Sequence, residues 1–253
     1  MKRCLNGYGT REDIERILFR EERENSMNKI LSYGLIAGTT CSLGSLASAD
    51  VIMDQIGSWD GANVAAGTIS ASQDFDEYGA YDVVAMDNFS ASSAMNLSSA
   101  SMVIGGWNGY AGTDGVIGYT VSIFSSVDAA AGSIYGDVMS LYFDAGAVNS
   151  EWAGDGTLIS FDLGGYSIAA GDYYIGITPA NVFGTNGQTG VYSSDIGDNS
   201  GYQANPTGAF GFITQATGLN YAYALEGDFA GVPAPGAIAL LGLCGVVSRR
   251  RRK

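Results

Sequence analysis

The sequence predicts an all-β protein, a single antiparallel β-sandwich or jelly roll, with an N-terminal signal peptide and a C-terminal short transmembrane helix. Three observations support this fold class. Between residues 50 and 231, short runs alternate apolar with small or polar residues, which is the period of a strand with one buried face. Gly, Asn, Asp and Ser separate these runs, as in turns. No stretch of twelve residues has a capped helical period, which argues against a βαβ fold.

The first 49 residues are predicted to contain an export signal. Lys29 supplies a positive charge, residues 30–46 are mostly apolar and small, and Ala47-Ser48-Ala49 has the A-x-A pattern that signal peptidase recognises. Ala47 and Ala49 are therefore the expected recognition residues, with cleavage before Asp50. Residues 1–26 form an N-terminal extension that contains a short amphipathic stretch. We expect translation to start at Met27, so that the signal peptide covers residues 27–49. The alternative is that residues 1–29 form one long positively charged n-region of the signal peptide.

Residues 50–231 are predicted to form one acidic domain of about nine strands. Neither a Pro-rich linker nor a repeat of fixed period divides it. Positive backbone φ angles are expected at Asn108-Gly109, Asp114-Gly115, Asp155-Gly156 and Asn186-Gly187. The clearest strands cover residues 117–123, 159–163 and 221–225, and weaker ones cover 63–69, 81–89, 96–104, 137–143, 173–178 and 209–214.

The C-terminus has three successive parts. The motif at residues 232–236 contains Val232, Pro233, Pro235 and Gly236; an apolar span follows over residues 237–248, and then a basic tail. A helix over this span would reach only about 20 Å, against a hydrocarbon core of about 30 Å, so the anchor is marginal. The basic residues favour the cytoplasmic side and stop transfer; they are Arg249, Arg250, Arg251, Arg252 and Lys253.

This three-part end resembles the PEP-CTERM sorting signal of bacterial surface proteins, which an exosortase processes. The resemblance covers residues 232–253, and Ala234 stands where the family motif usually has Glu. It implies export, transient contact with an exosortase-like sorting enzyme and with signal peptidase, and association with the cell envelope, the cell surface or the exopolysaccharide matrix. The alternative is a plain C-terminal membrane anchor.

The charge distribution excludes several functions. The chain has 26 Asp and Glu, 12 Lys and Arg, no His and a net charge of -14. Six acidic residues precede Met27, which leaves 20 after it, while no Lys or Arg lies between Asp50 and Ser248. Nucleic-acid binding is therefore not expected. The domain at residues 50–231 contains no Cys, His, Lys or Arg, so Ser-His-Asp, Cys-His and Lys chemistry is excluded there, and a carboxylate-dependent glycoside hydrolase is the remaining enzymatic alternative.

Two kinds of binding site are candidates. Asp74, Asp76 and Asp82 offer the hard oxygens that calcium prefers, and residues 195–199 form a second acidic group; the alternative is that both are solvated turns. Otherwise no cofactor is expected. Trp107, Tyr110 and Trp152 are candidate glycan contacts in a carbohydrate-binding module, although large aromatics usually pack in cores. The sequence thus predicts an exported, membrane-anchored or surface-sorted, non-enzymatic protein, with polysaccharide as a candidate partner.

Overall fold

The computed structural model describes residues 49–57, 64–153 and 156–229. The predicted N-terminal extension, the signal peptide up to residue 48 and the sorting tail lie outside these ranges. The described residues are mostly β, arranged in two sheets whose strands pair antiparallel, apart from one short parallel pair. The prediction of an all-β sandwich is therefore confirmed at the level of fold class.

The first sheet has eight strands, and its two longest, of 13 residues each, pair with each other. The earlier of these two in the chain also pairs with the last strand of the domain. The strands of sheet 1 are β1 (Asp50–Asp54), β2 (Val64–Ala71), β5 (Met95–Trp107), β8 (Asn149–Ala153), β9 (Gly156–Ile168), β11 (Gln188–Ser194), β14 (Asn220–Tyr221) and β15 (Tyr223–Phe229).

The second sheet has seven strands in the order β13-β12-β4-β10-β6-β7, with β3 paired in parallel to the end of β10. The chain passes between the sheets repeatedly, so strands adjacent in sequence often belong to opposite sheets. The strands of sheet 2 are β3 (Asp74–Phe75), β4 (Val84–Ala91), β6 (Val116–Phe124), β7 (Met139–Asp144), β10 (Gly171–Asn181), β12 (Tyr202–Ala204) and β13 (Thr214–Ala216).

One hydrophobic core lies between the two sheets. Sheet 1 contributes residues such as Leu97 and Ile159, and sheet 2 contributes Val121 and Ile175, all with no exposed surface. Tyr223 crosses the core, and its hydroxyl donates to the Ala85 carbonyl oxygen of the opposite sheet at 2.8 Å. Burying such side chains contributes about 1.5–3 kcal/mol each to folding, which explains how the domain is held together without disulfides.

Helices are short throughout the described ranges. α1 (Val127–Ala130) and α2 (Phe183–Asn186) have four residues each, and 3-10 turns lie at Gly79–Tyr81, Thr113–Gly115 and Ala145–Ala147. Among these residues, no helix has the length and apolarity needed to cross a bilayer. The segment containing α1 packs against the outer face of sheet 2, where Ala130 and Ile134 contact a second buried cluster.

The structure differs from the predicted strands in one predicted run and in several strands that were not predicted. Residues 209–214 form turns and bends apart from Thr214, because Gly208 and Gly211 adopt φ angles of 73° and 84°, which interrupt an extended strand. Strand β11 was not predicted from the sequence, since its buried positions include Thr189, Gly190 and two serines rather than an apolar alternation. β1, β8 and β12 were also not predicted.

Candidate functional site

An aromatic groove lies among the residues that the structure describes. Its volume is about 420 Å³. Its described lining consists of five aromatic residues and one amide: Phe75, Tyr78, Tyr81, Phe183, Phe210 and Gln188. Four of the rings are 36–50% exposed, whereas Phe75 is buried and forms the base. Exposed aromatic rings gathered in one place indicate a binding surface more strongly than scattered ones do.

The rings of the aromatic groove meet edge to face. Phe183 lies 5.7 Å from Phe75 and 6.0 Å from Tyr78, measured between ring centroids, with an interplanar angle of 86° in both pairs. Tyr81 lies 5.5 Å from Phe210 at 72°. Edge-to-face pairs are favourable for aromatic quadrupoles, and here they orient ring faces in several directions around the groove.

Asn205 fixes one wall of the groove. This residue has no exposed surface, and its side-chain amide donates to the carbonyl oxygens of Asp82 at 2.6 Å and Ala80 at 3.2 Å. Its side-chain oxygen accepts from the Phe210 N–H at 3.1 Å. One buried side chain therefore joins the turn that carries Tyr81 to the loop that carries Phe210.

The opposite wall depends on a tight turn after α2. Gly187 has a φ of 58°, and a Cβ at this position would lie 2.6 Å from the carbonyl oxygens of Trp107 and Asn108, so only glycine fits. The Gly187 carbonyl oxygen accepts from the Asn181 side chain at 3.0 Å. The turn presents Phe183 on one side and Gln188 on the other, and Gln188 accepts from the Asn108 side chain at 2.5 Å.

Two carboxylates lie directly beside the groove residues. Asp82 follows Tyr81 in the chain and accepts from the Phe75 N–H at 2.8 Å, and Asp74 precedes Phe75 and accepts from the Tyr135 hydroxyl at 2.8 Å. Burial raises the pKa of the Asp82 carboxyl to about 6; the Phe75 N–H lowers it in part, and the nearby charge of Asp74 raises it. These half-buried carboxylates have no cationic partner within the described residues.

The predicted calcium residues do not converge on a metal site in the described part of the chain. No three carboxylate, His or Cys side chains come together there. Asp76 is exposed, and Asp82 already bonds the Phe75 backbone. In the second acidic group, hydrogen bonds from Ser200 hold the pKa of Asp198 below its usual value. The Asp198 carboxylate thus accepts hydrogen bonds within its own turn.

The predicted glycan contacts occupy different environments. Trp107 ends β5, is half-buried and pairs through its backbone with Gln188. Tyr110 turns inward over Gly106, its hydroxyl is buried without a hydrogen-bond partner among the described residues, and burial raises its pKa to about 12. The Trp152 backbone pairs with Thr157 in the β8–β9 hairpin, and its side chain lies outside the described part. The predicted turn at Asn108-Gly109 is present, with φ angles of 53° and 100°.

Asp87 is the second carboxyl group with a strongly raised pKa. Burial raises the pKa of its side chain to about 6. It has no exposed surface and accepts from the N–H groups of Tyr221 at 2.8 Å and Asn88 at 3.0 Å. Because Tyr221 belongs to the opposite sheet, Asp87 joins the two sheets. Its burial makes it a structural residue rather than one that meets a substrate.

The aromatic groove was not predicted from the sequence, because its residues come from three separate segments and none of these carries a recognisable motif. The one local sign of the groove in the sequence is the pair Tyr78 and Tyr81, two aromatic residues separated by Gly79 and Ala80 in a turn. No protein-family model matches the chain, and no curated protein shows significant similarity to it.

Proposed function

We propose that this protein is exported and serves as a non-enzymatic component of the cell envelope or exopolysaccharide matrix, where it displays its acidic β-sandwich outside the cytoplasm. The observation that carries the proposal is the segregation of charge. Every Lys and Arg lies before residue 30 or after residue 248, next to the two apolar stretches, while the 20 acidic residues lie between them. Positively charged segments next to apolar stretches stay on the cytoplasmic side of a membrane. This arrangement is therefore the one expected of a chain whose central part is translocated.

Under this proposal, signal peptidase recognises Ala47 and Ala49, and the span at residues 237–248 holds the chain in the membrane until an exosortase-like enzyme acts at residues 232–236. β15 ends at Phe229, so the sorting motif follows the last strand after two residues. The signal peptide, the transmembrane helix and the PEP-CTERM-like motif are all parts of the proposal.

Cell fractionation tests this function. The full-length gene, expressed in a bacterium with an exosortase, should yield protein in the envelope or the external matrix that is accessible to added protease in intact cells. Replacing the basic tail at residues 249–253 with uncharged residues should impair retention at the membrane, because the stop-transfer charge is lost. A protein that stays protected and cytosolic in both forms would contradict the proposal.

Carbohydrate binding is the second candidate function, and the exposed aromatic groove favours it. Sugar rings pack on aromatic faces, and ligand sites combine apolar walls with few polar groups, as Gln188 provides here. A glycoside hydrolase is less well supported. It needs two carboxyl groups across the cleft, whereas the described lining of this groove has none.

A further inference from the structure

The acidic surroundings of the aromatic groove restrict what it can bind. Asp76 and Glu77 lie between the lining residues Phe75 and Tyr78 in the chain, and both are exposed. Each directly adjoins a lining residue in the chain. With Asp74 and Asp82, four acidic residues each adjoin a lining residue in the chain and give the groove an acidic edge, although no three of their carboxyl groups converge on one point. Residues 50–248 contain no Lys, Arg or His.

Three classes of ligand fit this combination poorly. Anionic ligands, including uronic-acid polymers and phosphate esters, would be repelled with no cation to offset the repulsion. A bare metal ion would lack a ligand set, since no three carboxylates converge among the described residues. A purely apolar molecule would cover the rings and bring the half-buried Asp82 into a drier environment without compensating its charge.

An organic cation fits both the exposed aromatic rings and the acidic edge of the groove. The face of an aromatic ring attracts an ammonium group within about 6 Å of its centroid. The groove rings lie at 72–86° to one another, so their faces have different orientations around the groove. The nearby carboxylates favour the same charge, so the rings and the acidic residues act together.

We propose that the aromatic groove binds amino-sugar units of a cationic polysaccharide, with the apolar faces of the sugar rings against Tyr78, Tyr81 and Phe210 and the ammonium groups toward the acidic edge. The choice of a polysaccharide rather than another organic cation rests on the proposed function, which places the domain in the envelope or its matrix. A volume of about 420 Å³ lies within the range of small-ligand sites and accommodates part of a chain rather than a whole polymer.

Calorimetric titration of the purified protein tests the proposal with four probes. The first is a hexamer of β-1,4-linked glucosamine. The second and third are its fully N-acetylated counterpart and the glucose hexamer, which have the same linkage but no positive charge. The fourth is hexalysine, which has the charge but no sugar ring. We expect the glucosamine hexamer to bind at least about tenfold more tightly than each of the others, because only it engages both the rings and the carboxylates.

Variants locate the binding at this groove. Tyr81→Ala and Phe210→Ala should each weaken binding of the glucosamine hexamer about tenfold, because an aromatic face is lost. The double variant Asp76→Asn/Glu77→Gln should weaken it about threefold to tenfold and reduce its salt dependence. Tyr142→Ala and Glu151→Gln are matched controls, since both residues are exposed and neither is among the lining residues. Circular dichroism establishes that each variant is folded.

The outcomes separate this inference from the proposed function. Equal binding of the neutral hexamers, absence of binding to all four probes, or full binding by the Tyr81 and Phe210 variants would overturn the inference while leaving the export result untouched. Hexalysine binding as tightly as the glucosamine hexamer would overturn the choice of a polysaccharide in favour of a basic peptide. Groove binding by a protein that fractionation finds in the cytosol would contradict the proposed function instead.

Discussion

Replacing Asn205 with alanine should disconnect the two loops that form one wall of the aromatic groove. In the folded protein its side chain bonds three backbone groups, the carbonyl oxygens of Ala80 and Asp82 and the N–H of Phe210, and it also bonds the Thr207 hydroxyl. The Ala80 carbonyl also accepts from the Thr207 hydroxyl, so it keeps a partner. The variant therefore leaves two backbone groups, the Asp82 carbonyl and the Phe210 N–H, without these side-chain partners.

The size of the effect follows from those two groups. Leaving a buried polar group unsatisfied costs about 1–3 kcal/mol, and both groups lie in partly exposed surroundings where water can enter, so the lower half of the range applies. We expect Asn205→Ala to reduce the free energy of unfolding by about 2–4 kcal/mol, a large fraction of the 5–15 kcal/mol of an average domain. The same variant should weaken ligand binding at the groove, because Tyr81 and Phe210 lose their common anchor.

Urea unfolding measures this change, with an unaltered m-value showing that the surface exposed on unfolding is the same. Thr207→Ala is the comparison variant, because it removes an exposed hydroxyl that bonds the Ala80 carbonyl, the Asn205 side chain and the Ala209 N–H. Because water replaces these bonds at an exposed position, the variant should cost about 1 kcal/mol. If Asn205→Ala were no more destabilising than Thr207→Ala, the proposed role of Asn205 as the common anchor would be refuted.

Three further predictions concern the rest of the molecule. The raised pKa of Asp87 means that the folded state binds its proton more tightly than the unfolded state, whose pKa is near 3.8. Stability from this group is thus complete below about pH 4 and falls by roughly 2–3 kcal/mol as the pH rises through 6. In pH-dependent urea titrations Asp87→Asn should remove this part of the slope, while Asp82, whose pKa is also raised to about 6, keeps its own part. Gly190→Ala should destabilise the protein by more than about 2 kcal/mol, because the new Cβ would lie 2.2 Å from the Ser70 carbonyl oxygen, whereas Gly146→Ala meets open space and should leave the melting temperature nearly unchanged. Replacing Ala47 and Ala49 with tyrosine should block signal cleavage, which a larger product on a denaturing gel would reveal; an unchanged product size would argue against that cleavage site.

Periodicity in the sequence predicted the strands that have one buried face. In β9 the residues Ile159, Phe161 and Leu163 are buried while the positions between them are partly or fully exposed, as the alternation requires. β15 follows the same rule. These strands are predictable because a single face decides their composition.

Strands buried on both faces do not show that signal. In β6 the predicted core row is Ile117, Tyr119, Val121 and Ile123, and all but the exposed Ile117 are buried. Thr120 and Ser122 on the other face are buried as well. Part of that outer face of sheet 2 is covered by the segment containing α1, a tertiary arrangement that local sequence does not encode. β11 was missed for the same reason, since small and polar residues fill its buried positions.

The groove was less predictable than the fold because it depends on long-range hydrogen bonds. Asn205 is an ordinary turn residue in the sequence, and only the structure shows its side chain bonding a turn more than 120 residues earlier. The tryptophans, which are the most distinctive aromatics in the sequence, are not among the described lining residues; tyrosines and phenylalanines from separate loops line the groove instead.

The central claim is that an entirely anionic domain crosses the membrane between two processed ends. Mass spectrometry of the protein recovered from the envelope and matrix fractions tests it most directly, by reading both termini of one molecule. The account predicts a chain that begins at Asp50 and ends within residues 232–236. A chain recovered intact from the cytosol, with residues 30–49 and the basic tail at residues 249–253 still attached, would contradict it.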